Sequence, residues 1–159
     1  MPAIETVSGN YVDPENPVAG DLLIDDMAWA LSRTSRFAGH TITTVPYNNA
    51  QHSVFVADMI HKSDKFTSDL VLFGLLHDAA EAYVGDLPSP IKRIKGLKDH
   101  FDRIESNLLN MIYEKYVGRV PTELEWSVVK HFDQRACQIE AYTFMRSRGL
   151  SPQWGERQN

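Results

Sequence analysis

Four ionisable side chains follow an apolar run in the segment LLHDAAEAYVGDLPSPIK, residues 75–92. His77 and Asp78 are adjacent, Glu81 comes one helical turn later, and Asp86 precedes two prolines. Burying charged groups is costly unless a partner compensates them, and a bound cation is one such partner. The segment therefore suggests a divalent metal site, provided that other parts of the chain supply further ligands.

Two further candidate ligands lie in other segments with helical periodicity. His52 falls in the first turn of a predicted helix, and Asp133 flanks the apolar face of a later one. Two imidazoles and two carboxylates, without sulfur, suit Mn, Fe, Co, Ni, Zn or Mg. A single histidine on an apolar helix is more often a hydrogen-bonded core residue, and spacing alone leaves both interpretations open.

Helices are the elements predicted to carry these groups. Residues 1–20 contain many turn-forming residues and are expected to be irregular, and residues 32–47 are expected to form a loop with at most a short strand. Apolar periodicity predicts helices over about 22–31, 48–61, 68–83, 97–116 and 122–148. Asn48 or Asn49 can cap the second helix, and Thr122 with Glu125 forms a capping box before the last.

The buried faces of two of these helices are predicted from the same periodicity. In the second helix they are Val54, Phe55, Ala57, Met59 and Ile60. In the last helix they are Trp126, Val129, Phe132, Ala136, Ile139 and Thr143. Residues 149–159 read as a polar tail. The whole chain, 1–159, is therefore interpreted as a single all-α domain of about five to six helices.

Composition excludes several classes of function. The net charge of −5 and the lack of a basic block argue against binding to a nucleic-acid backbone. No apolar run reaches the roughly 20 residues of a membrane span, and the N-terminus lacks a secretory signal. Cys137 is the single cysteine, so neither an intramolecular disulfide nor a thiolate zinc cluster can form. We expect a cytoplasmic protein without a membrane or nucleic-acid partner.

The motifs HxxF at His52, HDAAEAYVGDLPSPIK and a distant DxxxxxxE resemble those of the HD-domain phosphohydrolases. This family has a small prokaryotic and phage branch that is similar to the bacterial 5′-deoxynucleotidases. The segments ALSRTSRFAGHT and YNNAQHS resemble the N-terminal half of that branch. The resemblance covers about residues 7–145. It implies an HD-type helical fold around a divalent metal ion, with a deoxynucleotide as substrate.

The resemblance also assigns roles to individual residues. It implies that the metal ligands are His52, His77, Asp78 and Asp133. It implies that Glu81 and Asp86 orient the attacking water and handle protons. It implies that Arg36 and Lys92 contact phosphate, and that Phe37 offers an aromatic platform for sugar or base where the family usually has Trp.

The residues themselves leave alternatives for several of these positions. Glu81 lies four residues after His77 and could reach a water near the metal, or it could be a solvent-exposed acid at a helix end. Asp86 could protonate a leaving oxygen or merely stabilise the turn after Gly85. His40 could contact substrate or form a structural hydrogen bond.

Three functions follow from this interpretation. The first is a 5′-deoxynucleotidase that releases phosphate from deoxynucleoside monophosphates. The second is a deoxynucleoside triphosphate triphosphohydrolase that uses the same site, and the third is a non-catalytic nucleotide-binding module. A homodimer or higher oligomer is also expected, from the resemblance and from aromatic residues such as Trp126 and Tyr142 that exceed the needs of one small core.

Overall fold

The computed structural model describes residues 3–155, apart from the side chains of Gln153 and Gly155. Its longer helices are α1 (Ile24–Leu31), α2 (Asn49–His61), α3 (Ser68–Leu76), α6 (Lys98–Tyr116) and α7 (Glu123–Phe144). Its four-residue helices are α4 (Glu81–Val84), α5 (Ser89–Lys92) and α8 (Pro152–Gly155). The all-α prediction is confirmed. Of the predicted polar tail, residues 156–159 lie outside the described part of the chain.

The N-terminal segment is more ordered than its composition predicted. Strand β1 (Ile4–Glu5) pairs antiparallel with β2 (Tyr11–Val12), and a 3₁₀ turn covers Ala19–Asp21. Buried Asp26 on α1 accepts hydrogen bonds from the backbone N–H and the hydroxyl of Ser8, at 3.1 and 2.7 Å. The prediction of an irregular segment was therefore wrong in part, because this long-range carboxylate contact fixes the hairpin turn.

Both capping predictions are confirmed. The Asn48 side chain accepts from the N–H of Gln51, whose own side chain accepts from the N–H of Asn48, so α2 begins with a capping box. Thr122 and Glu125 form the same arrangement at the start of α7. Each box satisfies N–H groups that a helix start leaves without partners. The caps therefore fix the positions along the chain at which the two helices that carry His52 and Asp133 begin.

The predicted helix over residues 68–83 is instead two helices, α3 and α4. Between them, His77 and Ala80 have helical backbone angles. The backbone hydrogen bonds of this segment are of the i→i+3 type, such as that from Glu81 N to Asp78 O at 3.0 Å. Residues 77–80 therefore form a tighter, 3₁₀-type turn between the two α-helices. Gly85, with φ 78°, ends α4 as expected from its freedom to adopt positive φ.

Helices α2, α3 and α7 pack together around the core, and α6 covers α3 from another side. The largest fully buried apolar side chains are Tyr113, Phe73, Leu22, Met27, Ile60, Leu108 and Ile112. At Gly74 a β-carbon would collide with Ile60 on α2, so glycine permits the close approach of α3 to α2. None of the helices within residues 3–155 is long and apolar enough to cross a membrane.

Three predicted positions on the helix faces are wrong. Val54 on α2 is exposed, whereas Ser53 and Val56 are buried. On α7, Ile139 and Thr143 face solvent. The long helix also ends at Phe144 rather than Arg148. The buried position next to Ile139 belongs to Glu140, which has a functional consequence described below.

Candidate metal site and active-site cleft

Two buried imidazoles face each other where α2 and the end of α3 meet α7. Nε2 of His52 lies 3.2 Å from Nε2 of His77. Oδ1 of Asp133 lies 3.2 Å from His52 Nε2 and 3.6 Å from His77 Nε2. Oδ2 of Asp78 lies 3.3 Å from His77 Nε2 and 3.6 Å from His52 Nε2. The structure therefore brings the four predicted ligands together, and we call them the metal-ligand cluster.

The other ring nitrogens fix the tautomers of both histidines. His77 Nδ1 lies 2.7 Å from the carbonyl oxygen of Gly74, which can only accept, so the proton is on Nδ1. His52 Nδ1 lies 2.7 Å from Oε1 of Glu140, a carboxylate acceptor. In the neutral rings both Nε2 atoms therefore present lone pairs to each other and to two carboxylates. An additional positive charge is needed between these acceptors.

The spacing of these atoms fits a divalent metal ion. Ligand atoms about 2.1 Å from one ion are about 3.0 Å apart at right angles and about 3.4 Å apart in a tetrahedron. The observed separations of 3.2 to 3.6 Å are close to these values. The ligand atoms of His52, His77 and Asp133 all lie within 4.8 Å of one another, and Asp78 adjoins that set.

The charge distribution of the chain alone points to the same requirement. Burial opposes a charged imidazole at His77, but Asp78 and Asp133 outweigh it and raise the pKa of His77 to about 10. Burial also opposes charge on both carboxyls, yet the imidazoles hold the pKa of Asp78 and of Asp133 far below the usual range. The cluster therefore holds at least one positive charge, which is a proton when no metal ion is bound.

Glu81 lies beside the cluster and is only 5% exposed, which excludes the alternative of a solvent-exposed acid. Its Oε2 accepts a hydrogen bond of 2.5 Å from Nδ2 of Asn49, and its Oε1 lies 3.5 Å from Nζ of Lys92. Burial, with repulsion from Asp78 and Asp86, raises the pKa of Glu81 to about 9. Burial likewise raises the pKa of Asp86, which lines the same cleft. Raised carboxyl pKa values in a cleft are typical of groups that transfer protons, which makes Glu81 and Asp86 candidates for that role.

Arg36 lies between Asp78 of the metal-ligand cluster and Glu140. Its Nη1 lies 3.5 Å from Oδ2 of Asp78, and its Nη2 lies 3.5 Å from Oε2 of Glu140. These contacts are long for charged hydrogen bonds. Within residues 3–155, Nε of Arg36 is buried without a hydrogen-bond partner. A guanidinium so placed keeps donor capacity for an anion in the cleft.

Two lysines border the cleft on its other sides. Nζ of Lys92 lies 2.9 Å from Oε1 of Glu105 on α6, and Nζ of Lys130 lies 3.3 Å from Oδ2 of Asp133. Burial lowers the pKa of each lysine, but the nearby carboxylates outweigh it and raise the pKa. Both side chains therefore stay cationic. The sequence analysis missed Lys130, although it lies one helical turn before a predicted ligand.

Glu140 is the last residue of the DxxxxxxE motif that begins at Asp133, but no role was predicted for it. It is 2% exposed and accepts from His52 Nδ1 at 2.7 Å and from the hydroxyl of Tyr47 at 3.1 Å. A carboxylate behind a ligating histidine orients the ring and increases its basicity. At about 100° per residue, Glu140 lies only about 20° around α7 from Val129, whereas Ile139 lies about 80° away. Helical phase could therefore have identified it.

Asn49 was considered only as a helix cap. Instead Asn48 caps α2, and the Asn49 side chain is fully buried against Glu81. Nothing in the sequence pattern indicated this contact, because Asn49 and Glu81 are 32 residues apart. Asn49 thus fixes one oxygen of Glu81 through a donated hydrogen bond.

An open cleft of about 650 Å³ lies over these groups. Its lining includes Arg36, Phe37, His40, Glu81, Asp86, Lys92, Lys130, Asp133 and Trp154. This volume lies within the range of small-molecule sites in proteins. All predicted substrate contacts therefore lie on one cleft with Glu81 and Asp86. Four other basic residues, Arg33, His61, His100 and His131, are exposed at the surface.

The fold and the site define a helical protein in which two histidines and two aspartates, three of them placed so that they could hold a metal ion, lie beside an open cleft of about 650 Å³. Residues 29–145 match the family described as 5′-deoxynucleotidase YfbR-like. The chain belongs to this family.

Individual relatives agree with the family match. The chain is 36% identical over 116 residues to YfdR of Escherichia coli K12, an uncharacterised protein, covering 73% of this chain and 59% of the relative. It is 30% identical over 104 residues to a 5′-deoxynucleotidase of Enterobacter sp. strain 638, covering 58% and 50%. It is 29% identical over 117 residues to a 5′-deoxynucleotidase of Pectobacterium atrosepticum, covering 67% and 54%. The chain thus spans about half the length of the curated relatives it matches.

Proposed function

We propose that this protein is a metal-dependent phosphohydrolase of deoxynucleotides, and specifically a 5′-deoxynucleotidase acting on deoxynucleoside monophosphates. The observation that carries this proposal is the convergence of two imidazole Nε2 atoms with the carboxylates of Asp78 and Asp133 beside a cleft bordered by Arg36, Lys92 and Lys130. A phosphate monoester matches those cations in charge. The names of two relatives as 5′-deoxynucleotidases support the same activity.

In this proposal His52, His77, Asp78 and Asp133 hold a divalent ion. Such an ion supplies charge neutralisation for a phosphate oxygen and increases the acidity of water. Arg36 and Lys92 bind the remaining phosphate oxygens, and Phe37 packs against the sugar or the base. Glu140 keeps His52 in the tautomer whose Nε2 lone pair faces the ion.

Glu81 and Asp86 move the protons. Water attacks phosphorus, and its proton passes to Glu81, whose raised pKa makes it a good acceptor once a nearby cation favours its ionised form. The bond between phosphorus and the 5′ oxygen breaks, and in this proposal Asp86, whose pKa burial raises, donates a proton to that oxygen. The products are a deoxynucleoside and inorganic phosphate. Asn49 keeps the Glu81 carboxyl in place.

The second candidate function is a triphosphohydrolase that uses the same groups. Lys130 adds a third cation to the cleft, which a longer phosphate chain could contact. The products distinguish the two reactions, because a monophosphate yields inorganic phosphate and a triphosphate yields tripolyphosphate.

The test is hydrolysis of deoxy- and ribonucleoside mono- and triphosphates by protein loaded with each of Mn, Fe, Co, Ni, Zn and Mg. We expect inorganic phosphate from deoxynucleoside monophosphates. Release of tripolyphosphate alone would favour the second candidate. If Glu81→Ala retained the wild-type rate, or no nucleotide were hydrolysed with any ion, a non-catalytic nucleotide-binding module would be the better description.

We also propose that the protein forms a homodimer or a higher homo-oligomer. Tyr142 is 58% exposed on α7, which supports an apolar surface available for association. Sedimentation equilibrium at several concentrations tests this, and a single 18 kDa species would contradict it.

A further inference from the structure

The cleft has an aromatic wall that includes the C-terminal part of the chain. Phe37 and Trp154 pack edge to face, with ring centroids 5.9 Å apart and an interplanar angle of 65°. Both line the cleft, and Trp154 on α8 is half-buried. The family match ends at residue 145. Trp154 is therefore a cleft residue that this match does not include.

A series of pairwise contacts links the metal-ligand cluster to the aromatic wall. Asp78 Oδ2 lies 3.5 Å from Arg36, whose guanidinium carbon lies 5.7 Å from the Phe37 ring centroid. Phe37 in turn contacts the Trp154 ring. A deoxynucleotide has the same polarity, with an anionic phosphate at one end and a flat aromatic base at the other. If the phosphate lies at Arg36, the base lies toward the aromatic wall.

The backbone that presents Phe37 is unusual. Phe37 and Ala38 have φ values of 55° and 51°, a left-handed conformation that non-glycine residues adopt rarely. Backbone hydrogen bonds hold this turn at both ends, from Arg36 N to Tyr47 O at 2.9 Å and from His40 N to Phe37 O at 3.0 Å. Such strained segments concentrate at ligand-binding sites. The turn places a cation and an aromatic ring, adjacent in sequence, on one cleft.

We propose that Trp154 is a substrate-binding residue that contacts the nucleobase together with Phe37. This inference deepens the proposed function and rests on it. Stacking on an aromatic side chain tolerates every base, since each base has a π face. Trp154 therefore contributes affinity for nucleotides in general and distinguishes them from sugar phosphates, without selecting one base.

Intrinsic fluorescence gives a test that does not depend on turnover. The chain has three tryptophans, and Trp29 lies outside the cleft lining, with Arg33 packed on its ring at 3.5 Å. We expect deoxynucleoside monophosphates to quench wild-type fluorescence, and 2-deoxyribose 5-phosphate to leave it nearly unchanged. Trp154→Phe should remove most of this quenching, and the matched control Trp29→Phe should retain it. Trp126→Phe is a second control, because the Trp126 ring contacts Lys130 of the cleft but is not part of the cleft lining. This variant should also retain the quenching.

Steady-state kinetics gives the second readout. Trp154→Ala should raise KM for deoxynucleoside monophosphates about tenfold, from the loss of one stacking contact, with a smaller change in kcat. Trp154→Phe should recover most of the loss. KM for 2-deoxyribose 5-phosphate should be the same in the wild-type protein and both variants, and circular dichroism checks that each variant is folded.

Each outcome decides one of the two proposals. Unchanged KM and unchanged quenching in folded Trp154 variants would overturn the role of Trp154 while leaving the hydrolase intact. An equal loss with 2-deoxyribose 5-phosphate would also overturn it, because the effect would not involve the base. Quenching through Trp154 without hydrolysis of any nucleotide would support base contact and contradict the proposed activity.

Discussion

Two clusters of charged side chains in this protein are organised in opposite ways. In the Arg119 cluster, at the start of α7, the guanidinium donates to Oδ2 of Asp69 at 2.8 Å and to Oε1 of Glu125 at 2.7 Å. Glu125 also accepts from the backbone N–H and the hydroxyl of Thr122. Both carboxylates thus have donors within the chain. In the metal-ligand cluster, the acceptors face each other.

This difference separates structural charge from functional charge. The Arg119 cluster is half-exposed and complete, so it needs no ligand and contributes only modestly to stability. The metal-ligand cluster is largely buried, and in the proposed function a bound cation supplies the charge between its acceptors. Mutations should therefore change activity at one cluster and only stability at the other.

The largest effect is expected from removing an imidazole of the metal-ligand cluster. His77→Ala should lower hydrolysis at least about a thousandfold, because it removes a metal ligand and the charge stabilisation that depends on the ion. Metal content measured by mass spectrometry should fall in parallel. His131→Ala changes an exposed histidine of α7 and should match the wild type. Full metal content and activity in His77→Ala would show that the cluster is structural.

Glu81→Gln should lower kcat about a hundredfold or more, since general acid–base catalysis is lost. It should also change stability with pH. Because the pKa of Glu81 is raised from 4.5 to about 9, its protonated form contributes stability that is lost as pH rises from about 5 to 9. Thermal unfolding of the metal-free proteins should therefore show Glu81→Gln losing less stability than the wild type over that range. If stability changed with pH equally in the wild type and in Glu81→Gln, Glu81 would not be protonated in the folded protein over that range.

Glu140→Gln should weaken metal affinity about 10- to 100-fold, because His52 loses the carboxylate that orients it. Isothermal titration with the activating ion measures this. Tyr47→Phe removes a neighbouring hydrogen bond to Glu140 but not its charge, and it should have a much smaller effect. Equal affinities in the wild type and Glu140→Gln would assign Glu140 to packing alone.

The smallest effect on activity is expected at the Arg119 cluster. Thr122→Ala removes the cap of α7 and should lower the free energy of unfolding by about 1 kcal/mol without changing kcat or metal content. Hydrogen bonds from Arg119 outweigh burial and lower the pKa of Glu125 from 4.5 to about 2, so this stabilisation is present above pH 4.5 and is lost as pH falls toward 2. Chemical denaturation measures the change in the free energy of unfolding. A loss of activity in Thr122→Ala would contradict the expectation that the Arg119 cluster affects stability alone.

Local features of the structure were predictable because they depend on neighbouring residues. The helix starts at Asn49 and Glu123 follow from capping boxes within a few residues of each, and Gly85 ends α4 through its own backbone freedom. The break between α3 and α4 was missed, because the apolar pattern continues across residues 77–80 while the hydrogen bonds tighten.

The burial of Glu140 was not predicted, because the inner face of α7 was assigned from apolar character rather than from helical phase. Ile139 is the more hydrophobic neighbour, so it was assigned to the inner face of α7 that Glu140 occupies. A buried carboxylate is unfavourable unless it is paired, and the partner, His52, lies 88 residues earlier. The burial of Glu140 is therefore explained by its contact with His52, which only the tertiary structure shows.

The sequence by itself determined the helical class, the helix caps and the types of the side chains proposed to bind metal. These depend on composition, on spacing within one helix and on the preferences of divalent cations for nitrogen and oxygen. Only the tertiary structure decided that the imidazole lone pairs converge, that Asn49 holds Glu81 and that Trp154 reaches the wall of the cleft. Such contacts depend on how separate helices cross and rotate against each other, and packing of the whole core fixes that geometry.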